Sequence, residues 1–172
     1  PGRGTRNGIL SMGHRQYIEI LAPDPEQPEV DTERIATLRR LATPRLLTWC
    51  AVAGDADTMA GRVGAAGVRV REIRDGARER PDGVTLRWRN LYVEGPEDDV
   101  IPYAIEWAVG TPHPSSDAPL GGSLQSLRLQ HPEAARMSAL LAAMGLGLRV
   151  EPGPETKLAA VLDTPRGEVV LQ

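Results

Sequence analysis

The chain of 172 residues contains no phenylalanine and only three Trp and three Tyr. Its core must therefore be built from Leu, Val, Ile and Ala, and each Trp needs its own explanation. The single cysteine, Cys50, excludes an internal disulfide, and no Cys/His spacing of a structural zinc site occurs. A reducing cytoplasm fits that usage. No apolar run approaches the roughly 18 residues that would span a bilayer, and there is no signal-peptide pattern, so a soluble, unexported protein is expected. Long Lys/Arg runs are missing as well, and the formal net charge is −3. Nucleic acid, which demands a concentrated basic surface, is set aside as a partner. No Ser/His/Asp set, phosphate-binding glycine loop or nucleotide fingerprint is found.

Hydrophobic residues make up 41% and charged residues 25%, the balance of an ordinary packed protein. Residues 8–12 and 17–22 are two apolar runs around a short polar turn with Gly13, which predicts a β-hairpin. Asp31 and Thr32 offer N-caps to a short helix, Glu33 to Leu41, with Ile35, Leu38 and Leu41 spaced by three. A strand over 46–53 follows, then a helix from Asp55 or Asp57 to about Ala66 with Gly67 as its stop. Strands are predicted over 68–73, 84–92 and 100–109, with Asp82-Gly83 as a turn. After the Pro/Gly-rich stretch 111–122 the order begins again. A strand over 124–130 and a helix over 132–144 with Gly145 at its end lead into strands over 148–151, 158–162 and 168–171.

The two runs look alike residue by residue, and an internal repeat constrains the whole fold. Leu46 to Val70 reads LLTWCAVAGDADTMAGRVGAAGVRV, and Leu124 to Val150 reads LQSLRLQHPEAARMSALLAAMGLGLRV. Each places a Met early in the helix, small residues at the helix end and a Val-rich exit strand. Residues 7–22 look like the last two strands of the same unit. The reading is an α+β chain of repeated βαβββ modules. Residues 1–110 hold a first module without its opening strand and helix and a second over about 45–110; residues 123–172 hold a third.

Several segments carry a resemblance: Gly4-Thr5-Arg6-Asn7, Tyr17-Ile18-Glu19-Ile20, Arg80-Pro81-Asp82-Gly83 leading to Leu86-Arg87-Trp88, Pro102-Tyr103-Ala104-Ile105-Glu106-Trp107, Thr111-Pro112-His113-Pro114, and Asp163-Thr164-Pro165 with Gly167. In this order they resemble the glyoxalase-like domain of the vicinal oxygen chelate superfamily, along nearly the whole chain. The resemblance implies mixed sheets of βαβββ modules bent into a cup that holds a small organic molecule, often beside a divalent metal such as Mn, Ni, Zn or Fe. It implies isomerase, lyase or dioxygenase chemistry, or the non-catalytic sequestration practised by resistance members, and sheets that pair into a homodimer. It also implies a strand and helix ahead of the Gly-Thr-x-Asn segment, on the order of thirty residues for such a unit.

Glu19 and Glu106 are acidic residues inside otherwise apolar strands. Burying a carboxylate without a partner is costly, so each either faces a polar pocket or lies on a solvated face. The resemblance places both at strand-end positions that carry metal in the superfamily, which makes them the candidate catalytic and metal-ligating pair. The strand 46–53 offers Thr48, Trp49 and Cys50 but no His, Asp or Glu for a further ligand. His14, His113 and His131 stand in turns, loops or beside a helix start. Thr5, Asn7, Trp49, Trp88 and His113 are candidate substrate contacts, weighed against core packing for the Trp residues and a surface loop for the histidine. Neighbours on a strand point to opposite faces. If Glu106 lines the cup, Trp107 belongs to the helix-side core.

Overall fold

The computed structural model describes residues 4–30, 32–80, 82–94 and 100–172; Asp31 and Pro81 lie outside the described residues. The elements follow the order β1 (Thr5–Ser11), β2 (Tyr17–Pro23), α1 (Glu33–Arg40), β3 (Cys50–Val52), α2 (Ala56–Ala65), β4 (Val70–Glu79), β5 (Thr85–Val93) and β6 (Tyr103–Trp107). A 3-10 turn over Pro114–Ser116 precedes β7 (Ser123–His131), α3 (Ala134–Ala143), β8 (Val150–Pro152), β9 (Lys157–Thr164) and β10 (Gly167–Leu171). This is the mixed α+β class expected. No helix among the described residues is long and apolar enough to cross a membrane.

Local chemistry explains the helix ends. Thr32 caps α1 by accepting from the Ile35 N–H at 3.3 Å, and Asp55 caps α2 by accepting from Thr58 at 2.6 Å. α3 has no side-chain cap on its own N-cap residue; instead the ring nitrogen Nδ1 of buried His131 accepts from the Glu133 N–H at 2.9 Å. Gly67 and Gly145 follow α2 and α3 in the left-handed region, with φ of 79° and 81°, where a side chain would strain the backbone. The repeated Met is a core residue in both copies. Met59 and Met137 each stand fourth in their helix and are buried.

Two compact units emerge, Pro1–Arg45 with His113–Gln125 and Val161–Leu171, and Leu46–Pro112 with Ser126–Ala160 and Gln172. They interleave along the chain. The first unit contains the antiparallel pair β1 and β2, in register from Thr5↔Pro23 to Ser11↔Tyr17, together with α1. The second contains the sheet β3-β6-β5-β4, in which β3 runs parallel to β6 and the other neighbours are antiparallel. The remaining sheet has the order β10-β9-β7-β8 with β7 parallel to β8, and the unit ranges divide β7 and β9.

The element order of the repeat is therefore present twice, but the sheet order is not. The exit strand β4 is ten residues long and pairs with β5 as a hairpin, leaving β3 beside β6. Its counterpart β8 spans three residues and ends at Pro152, with Pro154 beyond it. Proline has no N–H to give a ladder, so β8 stops early and lies against β7 instead.

One face of the sheet β3-β6-β5-β4 is covered by helices. Ala53, Leu91 and Ala104 from the strand side meet Ala56, Met59 and Val63 of α2, Leu140 of α3 and Met144, the C-cap of α3. A second cluster joins Leu129, Val150 and Leu158 to Met137 and Leu141 of α3 and to Val100. Leu91 is fully buried at the centre of the first cluster. Leu91→Ala is expected to lower unfolding free energy by about 2–5 kcal/mol, the range for truncating a buried leucine. Urea denaturation would check it, and a loss below about 1 kcal/mol would mean that this cluster is not the core of its unit.

Candidate functional site

In the register of β5 and β6, Trp88 is opposite Trp107 and Arg89 is opposite Glu106. Side chains alternate along a strand, so these two pairs occupy opposite faces. Glu106 shares its face with Ala104, on the side covered by α2. Its Oε2 accepts from the Ala56 N–H at 2.9 Å and lies 3.4 Å from Nη1 of Arg89. Ala56 opens α2, where backbone N–H groups lack intrahelical acceptors and the helix dipole favours an anion. A strand carboxylate thus solves two problems: its own desolvation and an orphan donor of the helix.

Arg89 gathers the charges around it. Nη1 and Nη2 reach the two oxygens of Asp57 at 2.8 and 3.2 Å, and Nε lies 3.7 Å from Asp75. Donation to the Asp57 carboxylate raises the Arg89 pKa above its ordinary value, with Asp57, Glu106 and Asp75 adding charge attraction. The Asp55 carboxyl is held below the usual range by its side-chain and backbone hydrogen bonds to Thr58. A recess of about 270 Å³ lies beside this group, lined by Asp75, Gly76, Arg87, Trp88, Arg89, Glu106 and Ala108.

The opposite, far face of the same sheet has another character. Trp88 and Trp107 pack with ring centroids 5.7 Å apart at 57°, and Tyr92 stacks on Tyr103 at 5.7 Å and 23°. Between these pairs stand Asn90 of β5 and Ile105 of β6, register partners. Cys50 and Val52 of β3 continue the face beside Tyr103 and Ile105, and Val52 is 48% exposed. Gly76 of β4 faces Trp88, and a Cβ there would overlap the indole, so the glycine makes room for the ring. Guanidinium groups of Arg71 and Arg74 lie 5.2 and 5.6 Å from the Tyr92 ring centre. The Asn90 Nδ2 donates to the Tyr92 hydroxyl at 3.2 Å. Its Oδ1 is buried, and no donor among the described residues reaches it.

The alternation argument therefore holds with the faces exchanged: Trp107 is on the far face and Glu106 on the helix side. Trp88 joins Trp107, as a pocket candidate would. Trp49 does not join them. Its Nε1 donates to the Val100 carbonyl at 2.9 Å and its ring packs against the second core cluster. In the first unit the hairpin register puts Thr5, Asn7, Tyr17 and Glu19 on one face. Asn7 Nδ2 donates to the exposed Glu19 at 2.6 Å. His113 packs edge-on against Tyr17 at 5.5 Å and is buried, not a surface loop residue.

The divalent metal that the resemblance implies finds no fit at Glu106. That carboxylate is shared between a helix N–H and a guanidinium, whose positive charge opposes a cation. Among the described residues, no three of His, Cys, Asp and Glu come together as a ligand set. Asn90, Tyr92, Tyr103 and Trp107 were missed as site residues. Their signal is the period-two alternation Trp88-x-Asn90-x-Tyr92 and Tyr103-x-Ile105-x-Trp107, which identifies one face only when the two strands are read in register.

Two outcomes follow from this geometry. Glu106→Ala leaves the Ala56 N–H without its acceptor and is expected to cost about 1 kcal/mol of stability, as a lost helix cap does, while Glu106→Gln retains an acceptor and most of that stability. Equal losses in urea melts would assign the role to charge alone. His113 supplies the second. Burial lowers its pKa, with Arg15 and His14 adding repulsion, while Nδ1 accepts from the Ser115 N–H. A histidine whose folded pKa lies below its unfolded value of about 6.5 stabilises fully above that value and loses the contribution as pH falls from there through the folded pKa. The thermal midpoint should drop between about pH 7 and pH 5, and drop less in His113→Asn, which keeps an acceptor but cannot titrate in this range. Parallel slopes would show that His113 is not the group responsible.

Comparison with known proteins agrees with the topology. The chain is similar to a hypothetical protein from Staphylococcus aureus, with a TM-score of 0.64 and 14% identity over 98% of this chain and 85% of that one. At this identity the likeness concerns the fold alone. No curated protein matches the chain. A family model described as a glyoxalase-like domain matches residues 1–145, most of the length, and the chain belongs to this glyoxalase-like family of the vicinal oxygen chelate superfamily.

Proposed function

We propose that the protein binds a small organic molecule on the far face of the sheet β3-β6-β5-β4 and holds it without turnover. The observation that carries this reading is the concentration of aromatic rings there. Four of the six aromatic residues in a chain without phenylalanine, Trp88, Tyr92, Tyr103 and Trp107, occupy that one face in two packed pairs. Half-buried rings of this kind provide apolar area at low conformational cost, with a few polar tips to orient a guest. Sequestration rather than catalysis is favoured because the reactive carboxylates are engaged elsewhere. Glu106 is committed to α2 and Arg89, and Glu19 to Asn7. Glu72 of β4, the register partner of Tyr92 on the far face, is likewise engaged, accepting from Nη2 of Arg74 at 2.6 Å; proton transfer needs an acid or base free to reach the reacting atom.

A panel of flat aromatic compounds, followed by tryptophan emission and isothermal titration, tests the reading. Binders are expected to quench Trp88 and Trp107, and Trp88→Ala to weaken binding about tenfold through the loss of ring contact. Mass spectrometry should recover the bound compound unchanged after incubation with Mn, Ni, Zn or Fe(II). Undiminished affinity in Trp88→Ala would place the ligand elsewhere, and a chemically altered compound would overturn sequestration.

A further inference from the structure

Asn90 stands between Trp88 and Tyr92 along β5 and opposite Ile105 on β6, at the middle of the aromatic face. Its amide is satisfied at one end only. Nδ2 donates to the Tyr92 hydroxyl, while Oδ1 is buried and unmatched among the described residues. Buried polar atoms are almost always paired, and an exception marks a place where something else completes the bonding. Asn90 as a whole is half-buried although its Oδ1 is closed to solvent, so a guest lying on the rings meets the residue and engages Oδ1 by a turn of the amide. The surrounding rings admit flat molecules, and the lone acceptor asks for a donor.

We infer that the ligand is a flat, conjugated molecule carrying an N–H or O–H donor, and that Asn90 is the residue that selects it. The inference rests on the far-face binding proposed above and adds the polarity of the guest. A site holding an unpaired acceptor discriminates by what it rejects. A guest without a donor leaves Oδ1 unsatisfied and also crowds it, whereas a guest with a donor completes it. The preference is therefore for one hydrogen-bonding sense and does not depend on the size of the apolar body.

Para-nitroaniline and N,N-dimethyl-para-nitroaniline form a suitable pair: both are flat and neutral, and only the first carries N–H groups. Isothermal titration of the full chain should find the first bound about tenfold more tightly, despite its smaller apolar surface. Asn90→Leu should erase the preference, and Asn90→Asp, which keeps an acceptor and loses the amide donors, should preserve it. Circular dichroism verifies that each variant is folded; if Asn90→Leu is not, the wild-type preference and the Asp variant decide. Equal binding of both probes to the wild type would overturn the inference while leaving far-face binding intact. Loss of the preference in Asn90→Asp would overturn it too, because the amide nitrogen would then be the contact. Absence of binding by either probe, together with no response to the wider aromatic panel, would overturn the binding proposal itself and this inference with it.

Discussion

The pairing of β5 with β6 in one register governs the chemistry of the second unit. With Trp88 set against Trp107 and Arg89 against Glu106, the sheet sends aromatic rings to one side and an ion pair to the other. A slip of one residue in either strand would exchange the faces and drive indoles into the space of α2 while stranding a carboxylate among rings. Both consequences are costly, so the two faces enforce the same register from opposite sides. Leu91 paired with Ala104 seals it, because both are fully buried beneath the helices.

Much of the fold is legible in the residues. The caps at Thr32 and Asp55, the glycine stops, the hairpin around Gly13 and the repeated strand-helix-strand order all arise from local chemistry, which a sequence displays directly. The sheet order is not local. That β4 pairs with β5 while β8 pairs with β7 depends on strand length and on Pro152, whose effect is felt only when partners compete. The candidate site divides in the same way. Trp88 stands out because tryptophans are few and it lies on a strand, while its alternation with Asn90 and Tyr92 shows only once the sheet is assembled, and Thr5, Asn7 and Glu19 share a hairpin face. The sequence leaves the face of Glu106 open, because it shows a carboxylate in a strand but not what relieves its charge. A helix N-terminus and an arginine on the adjacent strand supply that relief, and only tertiary structure brings them there.

This placement bears on how a family scaffold can change its work. The carboxylate that the resemblance links to metal is here part of the joint between helix and sheet, and its partners Arg89 and Asp57 are tied into the same joint. Withdrawing it to bind an ion would release an N–H of α2 and leave a guanidinium with fewer counter-charges. The aromatic face carries no such structural debt to the helices. Its rings pack in pairs on one another, so residues on that face can vary without loosening the core beneath.

The two helices share one further property. Gly67 follows Met59, and Gly145 follows Met137, by the same eight positions, and each methionine is buried while each glycine turns the chain out of its helix. The interval acts as a ruler. Each residue added within it would rotate everything beyond by about 100° and carry the exit strand away from its sheet. Substitutions inside the interval are cheap by comparison, provided the buried positions stay apolar. The two helices accordingly differ in composition while keeping the same interval from methionine to glycine.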